Sequence, residues 1–377
     1  MAIQSSKPYF PADVRQKICT EVDKVLQNGQ LTMGPWITKF ETEFSRFIGC
    51  KHAVAVNSGT SALEILLRFY EVQNAEVIVP TNTFSASANA VLFAGGIPVL
   101  ADIHAETLCL DPREIKRRLS PKTKGVILVH IAGLPCPHTD EIKRICAKNG
   151  LFLIEDAAHA AGAGIGNNKA GNLADGGAFS FFPTKVLTTG EGGMVTTNDD
   201  KCAEFARSLR CHGISIEQNS PFKGRFVRLG YNWRMSEIQA IIGYYQTKLL
   251  AEIIAKRASV AEFYQHKMQS VDGIQMIPAP PGYCHSFYKF PVIIADRYSR
   301  VEITRKMRES FEIQCGTIYW PPVHLQPFYQ ENFSYQMGDF PVAEKILQQT
   351  LALPIYPDLS SEEALIVVEA LKKSLTV

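Results

Sequence analysis

The nine cysteines of this 377-residue chain are an odd number and include no CxxC pair. That removes a disulfide framework and a zinc ribbon, and leaves reduced, mostly buried thiols of a cytoplasmic protein as the expectation. Excess charge is lacking too: 39 Lys and Arg stand against 37 Asp and Glu, so neither nucleic acid nor an anionic membrane is an expected partner. Apolar stretches such as 90–101 are too short and too broken by Gly and Pro to cross a bilayer, and the opening MAIQSSKPYFPADV holds no run of signal-peptide length. There is no Gly-Lys-Ser/Thr phosphate loop, no HExxH and no Gly-x-Ser-x-Gly elbow, so the easiest readings as nucleotidase, zinc protease or serine hydrolase fall away. What remains is an ordinary soluble composition, 46% hydrophobic and 20% charged, long enough for two or three domains.

From about residue 50 to 200, short β-branched runs alternate with helical patterns. VAVN at 54 precedes a helix to Tyr70, and VIVP at 77 a helix to Ala94. IPVL at 97 is followed by a helix from Pro112 to Leu119, GVILVH at 125 by a helix from Thr139 to Asn149, and LFLIED begins at 151. The alternation predicts an α/β fold with a mainly parallel sheet covered by helices on both faces. In such sheets ligands bind where loops leave the carboxyl ends of the strands. Upstream, Val14, Ile18, Val22, Val25 and Leu26 predict a helix over 11–28, stopped by Gly29. A long helical pattern fills 237–269, and strands are expected near 286–294 and 316–319 with helices near 299–310, 340–348 and 361–373. The rhythm changes near residue 248, which divides the chain into 1–247 and 248–377.

Gly162, Gly164 and Gly166 follow a strand like a dinucleotide fingerprint, but the third glycine comes one position early and no helix pattern follows. Better candidates lie elsewhere. NSGTS at 57–61 ends a strand and opens a helix, so Gly59 and Thr60 offer free backbone N–H groups and a hydroxyl to an anion, most simply a phosphate; plain capping by Ser58 or Thr60 is the alternative. LFLI runs into EDAAHA, which puts Asp156 at a strand end with His159 three residues on, one acid of the Glu155–Asp156 pair facing the pocket. Asp156 could instead cap the next segment, while a metal site there lacks further ligands at suitable spacing. Lys185 stands in a Gly/Thr-rich turn between two strand-like runs, five residues after Ser180, flanked by Phe181, Phe182, Pro183, Val186 and Leu187. Lysines are usually surface charges, but apolar surroundings deprotonate an amine and make it nucleophilic.

A phosphate cradle, a strand-end aspartate and an apolar-flanked lysine are the parts that pyridoxal phosphate requires: an anchor, a partner for the ring nitrogen and an amine for the Schiff base.

The strings NSGTSAL, PTNTFSASANAV, EDAAHA, SFFPTKVLTTGEGGM, LGYNWRMSEIQAIIG and LPIYPDL, in this order, resemble the DegT/DnrJ/EryC1/StrS family of pyridoxal-phosphate sugar aminotransferases, from about residue 34 to 359. The resemblance implies fold type I architecture, with a large mixed, mainly parallel sheet domain, a smaller C-terminal α/β domain, and a homodimer with active sites at the subunit interface. It implies that Lys185 is the Schiff-base lysine, Asp156 the partner of the pyridinium nitrogen and His159 a neighbour of the phenolic oxygen. Gly59, Thr60 and Ser180 then contact the phosphate, Phe84 packs on the pyridine ring, and Asn232 reaches the phosphate from the neighbouring subunit. TIYWPPVHLQP resembles a substrate-contact stretch, which makes Tyr319 and His324 candidates for the sugar side. Members with histidine in place of the lysine are dehydratases; Lys185 is present, so transamination is implied, with L-glutamate as amino donor and a nucleotide-linked keto-sugar as acceptor. A smaller ketone such as an inosose is the alternative acceptor. Lys223, Arg225, Arg228 and Arg234 are candidates to meet a diphosphate, or else solvated surface charges.

Overall fold

The computed structural model of the chain describes residues 2–215 and 222–375. Two helices, α1 (Ala12–Asn28) and α2 (Pro35–Ile48), precede the first strand β1 (His52–Val56). The alternating region then gives α3 (Gly59–Phe69), β2 (Glu76–Pro80), α4 (Ser85–Phe93), β3 (Ile97–Ala101), α5 (Pro112–Arg118), β4 (Thr123–Val129), α6 (Thr139–Lys148) and β5 (Phe152–Asp156). Short strands β6 (Gly164–Ile165) and β7 (Asn168–Lys169), then β8 (Gly176–Ser180), β9 (Gly193–Thr197) and α7 (Asp200–Leu209) complete this part.

The central sheet has the order β1-β9-β8-β5-β4-β2-β3. β8, β5, β4, β2 and β3 run parallel, whereas β9 is antiparallel to both of its neighbours. The expected mixed, mainly parallel sheet is therefore present. Its strands are apolar on both faces because both are covered: Val54 and Val56 of β1 join one hydrophobic cluster, Ala53 and Ala55 the other. Within the discarded fingerprint Gly162–Gly166, β6 is the central strand of a small antiparallel sheet, between β7 and β11 (Tyr283–Cys284).

α1 ends at Gly29, whose φ of +74° closes the helix in the left-handed region while its N–H bonds to Val25 O. α2 was not among the expected helices, although Pro35 at its start, Gly49 at its end and Trp36, Ile37, Phe40, Phe44 and Ile48 at helical spacing mark it. Its first N–H groups are capped from far away: the Glu237 carboxylate accepts from Gly34 N, Trp36 N and Ile37 N at 3.1, 2.8 and 3.1 Å. Glu237 opens α8 (Glu237–Met268), itself capped by a reciprocal Ser236–Gln239 box.

The expected division near residue 248 falls inside this unbroken 32-residue helix. Leu250, Ile253 and Ile254 pack with the central sheet, whereas Val260, Ala261, Tyr264 and Met268 belong to a third cluster, so the change of core lies between Ile254 and Val260. That cluster is built on an antiparallel sheet of β10 (Ile274–Met276), β12 (Phe290–Ile294) and β13 (Thr350–Leu353), with α9 (Arg300–Phe311) and α12 (Ser361–Leu375) against it. Two further helices, α10 (Pro327–Phe333) and α11 (Pro341–Gln349), lie between α9 and β13 in the chain. The N-terminus reaches this smaller unit: Ile3 N donates to Glu312 O and Gln314 N to Ile3 O. The strand expected at 316–319 is reduced to a single bridge from Gly316 to Ala352; Tyr319 has φ +47°, which a β ladder does not accommodate, and two prolines follow.

Candidate active site

At the carboxyl edge of the central sheet, β1, β2, β5 and β8 deliver their following loops to one cavity of about 340 Å³. Gly59, Thr60, Phe84, Asp156, His159, Ser180, Lys185 and Tyr319 all line it, so eight of the sequence candidates converge.

The N-terminus of α3 forms one wall. Ser58 is the cap, its Oγ accepting from Ser61 N at 3.1 Å, which leaves the first helical N–H groups, those of Gly59 and Thr60, pointing out of the helix. Capping by Ser58 therefore leaves Gly59 and Thr60 free to meet an anion. A side chain at Gly59 would put its Cβ 2.8 Å from Ser180 Cβ, so glycine is what lets the end of β8 and the α3 terminus approach and form a cradle beside the free N–H groups.

Asp156 forms the floor. Its Oδ2 accepts from Ser87 Oγ at 2.6 Å and its Oδ1 from Ala158 N at 3.1 Å. Ser87 has one proton and gives it to Asp156, so Thr83 donates to Ser87 Oγ at 2.6 Å. Its neighbour Glu155 points the other way: fully buried, it accepts from Gly171, Leu173 and Ala174 N–H and bonds to His130 Nε2 at 2.7 Å. His130 Nδ1 accepts from Cys136 N, so the proton is on Nε2 and His130 is the donor. Glu155 holds the 171–174 turn, and the ambiguity within the acid pair is resolved in favour of Asp156.

Lys185 stands opposite, its Nζ 4.7 Å from the centroid of Tyr288. Burial pushes its amine down to about 8 and the charge of Asp156 pulls it partly back. His159 lies stacked between two tyrosines, at 4.3 Å from Tyr288 and 5.8 Å from Tyr319. Its Nε2 shares a 2.7 Å hydrogen bond with the Tyr319 hydroxyl, while Nδ1 is buried without a partner. Burial, then the positive charges of Lys185 and Lys289, hold His159 well below the usual imidazole range and so neutral. Phe84, 59% exposed, lies at the cavity wall with its ring 6.0 Å from that of Tyr319.

Other candidates lie elsewhere. His324 is fully buried, with Nδ1 on Thr81 Oγ1 at 2.7 Å and Nε2 on Glu344 at 3.0 Å; it ties α11 to the end of β2 and is not available to a sugar, a correction to the sequence reading. Asn232 and Arg225 are exposed and outside this chain's own cavity. Arg228 lays its guanidinium over Phe205 at 5.1 Å, away from the cavity, and Arg234 donates to Cys211 Sγ. Sequence reasoning missed Thr83, Ser87, Tyr288 and Lys289. Ser87 sat inside the quoted TNTFSASA stretch; Tyr288 and Lys289 lie in an ordinary strand-like run about 100 residues after Lys185, with no local signal.

Pyridoxal phosphate fits these residues. The cradle that a Cβ at Gly59 would fill suits its phosphate, the partnerless His159 Nδ1 can receive a polar atom, and a weakly basic amine and a carboxylate face the same space. Among the described residues no group of three His, Cys, Asp or Glu side chains is placed to hold a metal ion, and no helix is long and apolar enough to cross a membrane.

Comparison with known proteins agrees with this chemistry. The DegT/DnrJ/EryC1/StrS aminotransferase family matches residues 12–372. The chain is 32% identical over 370 residues to a dTDP-3-amino-3,4,6-trideoxy-alpha-D-glucose transaminase of Micromonospora megalomicea, covering 96% of each. It is 34% identical over 349 residues to GDP-perosamine synthase of Caulobacter vibrioides, covering 91% of each. Streptococcus pneumoniae Spr1654, solved in PLP and PMP forms, superposes on it with TM-score 0.91 at 26% identity, over 99% of this chain and 98% of that one. A fold type I scaffold, a phosphate cradle facing a lysine and an aspartate, and a match over nearly the whole length lead to one conclusion: the chain belongs to the DegT/DnrJ/EryC1/StrS aminotransferase family and is a pyridoxal-phosphate-dependent sugar aminotransferase.

Proposed function

We propose that the protein moves the amino group of L-glutamate to a nucleotide-linked keto-sugar, at a site completed by a second copy of the chain. The observation that carries this reading is the single cavity in which the α3 N-terminus, Asp156 and Lys185 meet. Pyridoxal phosphate, when bound, supplies a carbonyl for amine exchange and a ring that accepts electrons. Gly59, Thr60 and Ser180 hold its phosphate, Phe84 covers the ring, His159 stays neutral beside it, and Asp156, fixed by Ser87 and Ala158, keeps the ring nitrogen protonated. Lys185 Nζ would hold the cofactor at rest through its carbonyl and, once freed by the donor, would serve as the base for the proton on the donor's α-carbon and as the acid that gives it back. The acceptor half runs in reverse, with the same amine as acid and base.

The nucleotide reading is supported by the names of the dTDP-sugar and GDP-sugar relatives. The dimer reading is supported by the segment that carries Arg225 and Asn232: Phe226 and Leu229 are 72% and 83% exposed, an apolar patch of the kind that marks an interface. From the neighbouring copy, Asn232 then reaches the phosphate and Arg225 the diphosphate.

Single-turnover mixing, followed by cofactor absorbance, tests the assignment. Glutamate should convert the wild-type cofactor, and a dTDP-, GDP- or UDP-linked keto-sugar should convert it back. Arg225→Ala should weaken acceptor binding on the order of 10-fold and leave the glutamate half unchanged. If nucleoside diphosphates do not compete and an inosose serves equally well, the acceptor is a smaller ketone.

A second expectation concerns pH. Lys185 is cationic below about 8 and a neutral nucleophile above it. Apoprotein given pyridoxal phosphate should therefore recapture it faster as pH rises through about 8, read as the return of colour; a rate independent of pH across that range would place the reacting amine elsewhere.

A further inference from the structure

The cavity contains a second amine that the steps above do not use. Lys289, just before β12, lines the same cavity as Lys185. The two surround one ring from different positions, Lys185 Nζ at 4.7 Å and Lys289 Nζ at 5.9 Å from the Tyr288 centroid, with Lys289 also 5.7 Å from the Tyr319 centroid. Lys289 Nζ donates to Thr317 O at 2.6 Å, which occupies one of its three donors. Among the described residues no carboxylate pairs with it; burial is the chief influence against its charge, the neighbouring Lys185 opposes it too, and the Tyr288 hydroxyl favours it.

A half-buried ammonium held by one backbone carbonyl is a costly arrangement unless an anion completes it. Inside the cavity the candidates are few. Of the two carboxylates that line it, Glu191 is exposed and makes no ion pair with Lys289, and Asp156 is committed to Ser87 and Ala158, while the cradle at Gly59 suits the cofactor's phosphate. The acceptor's diphosphate is assigned above to Arg225 of the neighbouring copy, whereas an amino-acid donor brings a carboxylate on the carbon that reacts. We propose that Lys289 is the receptor for the α-carboxylate of the amino donor, orienting it with its two remaining N–H groups while Thr317 O fixes the side chain. The arrangement makes the donor half-reaction depend on a charge that the acceptor half does not need, and it rests on the transamination reading above.

The test separates charge from scaffolding. Lys289→Gln can still donate to Thr317 O but carries no charge, and Lys289→Arg keeps the charge. In the cofactor-loaded enzyme, calorimetric titration with glutarate, a dicarboxylate without an amine, should show affinity reduced on the order of 10-fold or more in Lys289→Gln and largely kept in Lys289→Arg. In single-turnover mixing, the glutamate concentration for half-maximal rate should rise on the order of 10²-fold in Lys289→Gln, with conversion by the keto-sugar changed less than a few-fold. Equal loss in both half-reactions, or unchanged glutarate and glutamate affinity in Lys289→Gln, would overturn the proposal. Should wild type prefer another L-amino acid, the glutamate assignment fails and the same comparison is made with that donor. Should wild type take only amines without a carboxylate, the Lys289 assignment itself fails.

Discussion

Lys185→Ala is expected to be colourless after dialysis and to lose turnover by more than about 10⁴-fold, the scale that follows removal of an enzyme's covalent nucleophile. The expectation rests on position and basicity together. Lys185 is the amine that faces Asp156 across the cavity, and burial has already brought it to about 8, so a usable neutral fraction exists near neutral pH. Lys289 is not a substitute, because its Nζ is tied to Thr317 O. Borohydride reduction of wild type followed by peptide mass mapping should mark Lys185. A label on Lys289, or a Lys185→Ala protein with normal turnover, would remove the central assignment.

The next largest effect is expected at Asp156. In Asp156→Ala the cradle built by Gly59, Thr60 and Ser180 remains, so cofactor binding should persist, but turnover should fall on the order of 10²-fold or more, as when one preorganised electrostatic group is deleted. Glu155 cannot step in, since its two oxygens already serve three backbone N–H groups and His130 behind the strand. Asp156→Asn, which keeps the hydrogen bond from Ser87 while losing the charge, should resemble the alanine variant. Near-normal steady-state rates in both would mean that ring protonation is supplied by another group.

Much of this site was legible because each of its main residues follows a strand in a short, punctuated string. NSGTS, EDAAHA and the Lys185 turn announce strand ends by themselves, and the alternation around them fixes which edge of the sheet they share. What was not legible depends on contacts across the fold. His324 sits in a proline-rich stretch like a ligand contact, yet the approach of Glu344 and Thr81 makes it a structural link between α11 and β2. Tyr288 and Lys289 look like any half-buried strand residues until β12 is brought beside Lys185. α2 was legible from its own apolar spacing and was passed over, but its cap, Glu237, lies 200 positions away and has no local signal; the strand at 316–319 failed because Tyr319 turns with φ +47°. Local pattern identifies an element, and long-range pairing decides what it serves.

Glu237 and Ile3 also set an order of events during synthesis. The first turn of α2 lacks its acceptor until the ribosome has delivered residue 237, and Ile3 lacks its partners until residues 312 and 314 have emerged. The N-terminal segments are made first and completed last. Until then the apolar faces of α1 and α2, with Trp36, Phe40 and Phe44, have no finished core to join. For a nascent chain this is a long exposure of sticky surface, the condition under which chaperones engage and truncated products aggregate. A chain stopped before Glu237 should therefore be a poorer folder than its complete set of sheet strands would lead one to expect.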